Sequence, residues 1–199
     1  MTRYFLEEGK SFPVTILEAG PCVVIQKKTK DNDGYEAIQV GFEPQKEQRV
    51  NKPLQGHYKN AGNGIYYKNI REIKVEKADE FELGQELKAD IFSIGDTVRV
   101  TGRSKGRGFS GVIKRWGFSG GKETHGCRSH RVPGSIGSSA YPGRVYKGRK
   151  LPGHMGNRQV TIKNLKILDV RPEMNIIALK GAVPGSRYSV VEISKIEGN

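Results

Sequence analysis

Three short motifs in this 199-residue chain could do chemistry, and all of them fall between Thr101 and Arg158. His125-Gly126-Cys127-Arg128-Ser129-His130 sets three metal-ligating side chains within six residues. A structural zinc site wants four ligands, however. The other histidines, His57 and His154, stand at no ligand-like spacing, and Arg128 and Arg131 would repel a dication. Gly117-Phe118-Ser119-Gly120-Gly121 matches the G-x-S-x-G nucleophile elbow, with His125 and His130 close by in sequence. That motif works on a strand, a sharp turn and a supported helix, with an acid to orient the histidine; here Glu123 is the only local acid. Gly106-Arg107-Gly108-Phe109-Ser110-Gly111 matches G-x-G-x-x-G, but any helix after it can run only to about Trp116. Apart from Glu123, no acid follows before Arg158 to hold a ribose. No catalytic residue, metal or cofactor is expected from these motifs.

Their surroundings point to different chemistry. Residues 101–158 hold 13 of the chain's 34 Lys and Arg, one of its 21 Asp and Glu, and 14 of its 26 glycines. The stretch is therefore +12 in a chain of +13, and the remainder is close to neutral. Lys and Arg recur every few residues, so positive charge is laid along a path and not gathered into one small-molecule pocket. Intervening glycines let backbone approach phosphates and take up positive φ. Phe109, Trp116, Phe118, Tyr141 and Tyr146 offer faces for stacking on unpaired bases. Nucleic acid is the partner this pattern fits. A solvated basic linker is the plainer reading, but linkers seldom carry interleaved aromatics and prolines in mid-chain.

The stretch has little with which to fold alone. Its aliphatic side chains are Val112, Ile113, Val132, Ile136, Val145, Leu151 and Met155. Ordering backbone costs about 1–2 kcal/mol per residue, more than seven scattered side chains offset over such a length. Like charges oppose compaction further. The segment is expected to be mobile until a polyanion orders it.

The elements that must position it are short strands. Phe12, Val14 and Ile16 alternate toward Gly20-Pro21, Cys22–Ile25 starts a second run, and Asp31–Gly34 is a turn before Tyr35–Val40. Residues 43–69 read as an irregular excursion with a short helix around Leu54–Lys59. Further strands are expected near Ile70–Val75, at Leu87–Phe92, and at Thr97–Thr101 after an Ile94-Gly95-Asp96 turn. Beyond the basic stretch come Val160–Ile162, Leu165–Val170, Ile176–Lys180 and Tyr188–Ile193. Such punctuation argues for a mainly β chain, an antiparallel β-barrel with hairpin connections. The body is then 1–100 and 159–199, with 101–158 extruded between two neighbouring strands.

No run of 18 apolar residues exists to span a membrane, and the N-terminus lacks the apolar stretch of a signal peptide. Glycine spacing also denies the stretch the long amphipathic helix that membrane-surface binding would use. Two cysteines, Cys22 and Cys127, are too few for a disulfide framework, which suits a reduced cytoplasm.

The same residues carry a family resemblance. Thr101-Gly102-x-Ser104-Lys105-Gly106-x-Gly108-Phe109-x-Gly111 and Lys114-Arg115-Trp116-Gly117-Phe118 closely resemble the bacterial family of the third protein of the large ribosomal subunit. So do His125-Gly126, His130-Arg131-x-Pro133-Gly134-Ser135-Ile136-Gly137, Lys147-Gly148, Met155-Gly156, Gly181–Gly185 and, near the start, Glu18–Pro21. The resemblance implies a barrel like that of translation elongation factors, seated on the subunit surface. It implies an extension threading into large-subunit (23S-type) rRNA toward the peptidyl transferase centre, with the tip at Pro133–Tyr141. Early binding to rRNA and a part in nucleating assembly are implied as well. The implied protein neighbours are the fourteenth and nineteenth proteins of that subunit.

Three departures stand out. The family opens with a Gly-Lys-rich strand ahead of the Met-Thr-x-x-Phe found here, so residues are missing before Met1 or the first strand is shortened. Arg99 replaces a usual Asp or Asn. The tip Ser138-Ser139-Ala140-Tyr141 has no glutamine to carry the methylation that some members bear.

The reading that results is a structural, ribosome-bound protein of the cytoplasm that binds rRNA, with no small-molecule substrate. Arg103, Lys105, Arg107, Lys114, Arg115, Arg128, Arg131, Arg144, Lys147, Arg149, Lys150 and Arg158 are the expected phosphate ligands. Trp116, Phe118, His125 and His130 are expected at bases or sugars. For Trp116 an equal alternative is a packing anchor at the root of the extension. Two other classes stay in view: an enzyme using Ser119 and His125, and a nucleic-acid-binding or chaperone protein outside the ribosome.

Overall fold

The computed structural model describes residues 1–5, 9–59 and 64–196; part of the predicted excursion, residues 60–63, lies outside them. Thr2–Phe5 forms β1 and pairs antiparallel with β2 (Ser11–Glu18), Thr2 opposite Val14. The sequence suggests a hairpin from β2 into β3 (Cys22–Lys28), but these strands do not pair. Gly20, at φ 123°, turns the chain out of one sheet and into another; a Cβ there would sit 3.0 Å from the Leu87 carbonyl oxygen.

The expected hairpin across Asp31–Gly34 does form. Lys30–Asp33 makes one helical turn, α1, which Gly34 ends in the left-handed region at φ 82°. Strand β4 (Ala37–Gln45) then returns along β3. Helix α2 (Lys52–Lys59) follows, and β5 (Tyr66–Lys74) completes the pairing on β4. The predicted excursion over 43–69 is thus entered later and left earlier, since β4 runs to Gln45 and β5 starts at Tyr66. Tyr58 of α2 is buried, and its hydroxyl donates to the Tyr67 carbonyl at 2.6 Å. Here Val23, Ile25, Val50, Tyr58 and Tyr67 form one core cluster, while Val24, Ile38 and Val40 form a second. Burying successive residues of β3 makes this a sheet covered on both faces.

Glu86–Leu87 is a two-residue strand, β6, on the edge of that sheet. The strand expected over Leu87–Phe92 does not continue. Phe92 N–H donates back to the Ala89 carbonyl at 3.1 Å, a 3₁₀ turn that buries Ala89 and leaves Ile91 exposed. Strand β7 (Thr97–Arg103) follows the Gly95 turn. In 101–158 lie β8 (Phe109–Ser110), α3 (Val112–Trp116) and β9 (Gly153–His154). Next, β10 (Gln159–Arg171) merges two predicted strands, because Asn164 tolerates the left-handed φ of 59° that would otherwise break them. The chain closes with β11 (Ile176–Lys180) and β12 (Val191–Lys195), the latter starting later than the predicted Tyr188.

The result is mainly β, but not one closed barrel. A six-stranded sheet runs β1-β2-β11-β10-β7-β12 and a four-stranded one β5-β4-β3-β6, with β8-β9 a separate pair. Among the described residues, edge strands β1 and β12 are not joined to each other. The doubly buried β3 has its own partners in β4 and β6, which divides the strands between two sheets.

Two compact units result. One is Met1–Val98 with Asn164–Ala182 and the chain from Lys195; the other is Arg99–Lys163 with Val183–Ser194. The first buries Val14, Val98, Ile167, Ile177 and Leu179 in the six-stranded sheet, and the second buries Val100 and Val112. No helix of the described residues is long and apolar enough to cross a membrane.

Candidate nucleic-acid interface

The basic stretch begins as an extension of β7 and β10. Thr101 and Thr161 hydroxyls meet at 2.8 Å, Ser104 N–H donates to the Arg158 carbonyl at 2.9 Å, and Asn157 N–H donates back to the Ser104 carbonyl at 3.0 Å. Gly156 then passes so close to Lys105 that a Cβ would lie 2.0 Å from its carbonyl oxygen, and its φ is +75°. Past this crossing the two strands re-pair through Arg107 and Met155 and then through β8 and β9. The segment that the sequence leaves with little to fold on is therefore paired at its root.

Helix α3 sits on that root. Five residues between Gly111 and Gly117 can make little more than one turn, and Gly117 ends it at φ 73° with its N–H on the Ile113 carbonyl. Val112 is buried, and it is the only buried residue from Gly111 to Val160. From Gly117 to Lys150 there is neither helix nor strand.

Trp116 lies where α3 meets the returning chain. Its indole N–H donates to the Leu151 carbonyl at 2.9 Å, and Arg115 Nη1 donates to the same oxygen at 2.7 Å. Arg115 and Lys150 lie over the ring at 5.0 and 5.8 Å from its centroid. The tryptophan clamps the two ends of the loop together, yet 41% of it remains exposed. Sequence-predicted Arg115, Trp116 and Lys150 are thus brought into one cluster.

The other predicted residues are spread along the path. Arg103 Nε donates to the Asn157 carbonyl at 3.3 Å, Arg149 reaches the Ser135 carbonyl, and Arg144 lies over Tyr146 at 5.6 Å. His130 Nδ1 meets the Lys122 carbonyl oxygen at 2.8 Å, beside Gly121 N–H, which donates to the His130 carbonyl. A cavity of about 570 Å³ opens here between Ile113, Gly120, Gly121, Glu123, His130 and Arg131. Phe118 is half-buried, and His125 adopts φ 59°. Lys105, Arg107, Lys114, Arg128, Arg131, Lys147 and Arg158 all hold their side chains out to solvent. Among the described residues, His125, Cys127 and His130 belong to no group of three or more His, Cys, Asp or Glu side chains placed to hold a metal.

Charge compensation is the sharpest property of the stretch. Twelve of its 13 cations are exposed, Arg115 being the half-buried exception. Close ion pairs gather elsewhere: Lys28 with Glu72 at 3.2 Å, Lys68 with Glu43 at 2.8 Å, and Lys195 with Asp96 at 2.9 Å. Sequence reasoning missed one exposed aromatic of the same unit, Tyr188, because it lies outside the basic run.

Fold and charge together define a class: a mainly β protein with a cationic, largely irregular arm whose basic residues outnumber its acids 13 to one. The profile of the family described as Ribosomal protein L3 matches residues 58–175. The chain is 51% identical to a protein named large ribosomal subunit protein uL3 from Syntrophotalea carbinolica, over 98% of this chain and 93% of that one. A protein of the same name from Carboxydothermus hydrogenoformans is 54% identical over 98% and 92%. This chain belongs to the ribosomal protein L3 family.

Proposed function

We propose that the protein is a structural constituent of the large ribosomal subunit, ribosome-bound in the cytoplasm, with no catalytic activity of its own, and that residues 101–158 are its rRNA-binding arm. The strands on either side form the body at the subunit surface. Exposed cations along an arm with a single acid carry this reading. A soluble monomer gains nothing from so much uncompensated charge, whereas each phosphate met by such a cation releases counterions. Arg103, Lys105, Arg107, Lys114, Arg128, Arg131, Arg144, Lys147, Arg149 and Arg158 neutralise phosphates between closely packed rRNA helices. Arg115 and Lys150 do so while holding Trp116, and Phe118, His125 and His130 meet bases or sugars. The resemblance supports three finer assignments: a tip at Pro133–Tyr141 directed toward the peptidyl transferase centre, neighbours in the fourteenth and nineteenth proteins, and early binding that helps nucleate assembly.

Sedimentation of the tagged full chain from a bacterial host tests this. It should travel with the large subunit through a moderate salt wash. Recovery only in the ribosome-free fraction would favour a free nucleic-acid-binding protein instead.

A further inference from the structure

Residues 183–190 belong to the same compact unit as the arm, although the sequence from Gln159 to Ala182 separates the two. The loop is built onto the strand from which the arm departs. A Cβ on Gly102 would sit 2.9 Å from Val191 and 3.1 Å from Pro184, and one on Gly185 would sit 3.2 Å from the Arg103 carbonyl oxygen. A tight turn follows, in which Ser189 Oγ donates to the Ser186 carbonyl at 2.8 Å and Ser189 N–H reaches the same oxygen at 3.4 Å.

Tyr188 lies inside that turn at φ 60° with 104% relative exposure. Both facts run against expectation. A bulky aromatic in the left-handed region is an outlier, and a fully solvated ring contributes no burial to offset that strain. Both hydrogen bonds of the turn end on the Ser186 carbonyl and bracket Tyr188, whose ring stands in solvent. Arg187, its neighbour in sequence, is exposed, as is Arg103, whose carbonyl oxygen lies close to Gly185.

We infer that Tyr188 is a stacking platform for one unpaired base of the rRNA that the arm binds, with Arg187 placed for the adjoining phosphate; this rests on the rRNA reading above. A flat ring with a cation next to it is the usual way to hold a splayed-out nucleotide, and stacking needs no particular base. Protein would also cover a tyrosine, but the exposed cations flanking this one favour a nucleotide. The binding surface thus extends beyond 101–158 to a second segment at the root of the arm.

The test uses the full chain and a bacterial 23S rRNA transcript, read by filter binding and by chemical probing of base accessibility. Tyr188→Ala should weaken binding about 5- to 150-fold, and Tyr188→Phe should hold within about twofold, because the ring carries the interaction. Tyr188→Gly, which fits the left-handed backbone, should melt no lower than wild type yet bind as weakly as the alanine variant. One base should be protected by wild type and by Tyr188→Phe, but not by Tyr188→Ala or Tyr188→Gly. Wild-type affinity and an unchanged probing pattern for Tyr188→Ala would overturn this inference and leave the arm's role standing. Failure of the wild-type chain to bind the transcript would overturn both.

Discussion

The body and the arm of this protein treat charge in opposite ways. In the body, cations are met by acids: Lys28 lies between Glu72 and Asp33, Lys195 reaches Asp96, and Lys68 reaches Glu43. Along the arm, 13 cations share one acid, Glu123, and 12 of them face solvent. Exposed pairs are worth about 0–1 kcal/mol each, so the body's pairing is not what holds it together. Its effect is to leave the rest of the chain close to neutral. On the function proposed above, the charge left uncompensated along the arm is what a polyanion would meet.

The largest expected effect comes from removing the arm. Deleting 103–157 should leave a folded body with the far-ultraviolet signature of β structure and lower affinity for 23S rRNA by roughly 10³-fold or more. A truncation that keeps wild-type affinity would move the binding surface to the body.

The same substitution made on each side of the divide sharpens the comparison. Gly41→Ala places a Cβ 2.6 Å from the Tyr67 ring and 2.7 Å from Ile25, inside a packed sheet. It should lower the stability of the body by about 1–3 kcal/mol in a thermal melt, with rRNA affinity measured below the transition unchanged. Gly156→Ala drives a Cβ onto the Lys105 carbonyl at a positive φ. It should do the reverse, spreading the arm's root and weakening binding by about tenfold while the body melts normally.

Trp116 is the chain's only tryptophan, so its fluorescence reports on the arm alone. Addition of 23S rRNA should change its emission. Trp116→Phe, which keeps a ring under Arg115 and Lys150 but loses the bond to Leu151, should bind a few-fold more weakly than wild type. Emission that ignores rRNA would separate this cluster from the interface.

The smallest effect is on pH. The Asp96 carboxyl is held below its ordinary range, first by the Ser93 N–H and then by Lys195; Glu72 is held down by Lys28 and then Tyr35. Groups depressed in the folded state contribute stability above their unfolded pKa and lose it as pH falls through the folded one. The body should therefore soften below the usual carboxylate range, and Asp96→Asn should shrink that acid dependence in melts taken from pH 7 downward.

Much of this was legible in the sequence. Alternation located β2 and β4, turn-punctuated runs located β7 and β11, and α3 ends at Trp116, where the expected helix was limited. The charge count alone set the arm apart. Other features depend on tertiary contact. Whether Gly20-Pro21 closes a hairpin or turns a corner depends on the Leu87 carbonyl beside it, a residue far away in sequence. The run 87–92 reads as a strand until Ala89 is drawn into the core and the chain bends around it. The bond from Trp116 to the Leu151 carbonyl joins residues 35 positions apart, which no local pattern announces. Tyr188 has no sequence signal at all: its left-handed backbone and full exposure appear only in three dimensions.

The central claim is that the arm's solvent-facing cations neutralise phosphates. Its most direct test is the salt dependence of 23S rRNA affinity for wild type and for a variant with Lys105, Arg107, Lys114, Arg128, Arg131 and Lys147 all changed to Gln. Each lost phosphate contact should reduce the slope of log affinity against log salt by about 0.7–0.9, making the variant's line visibly shallower. A variant that binds with the full wild-type slope would contradict the account.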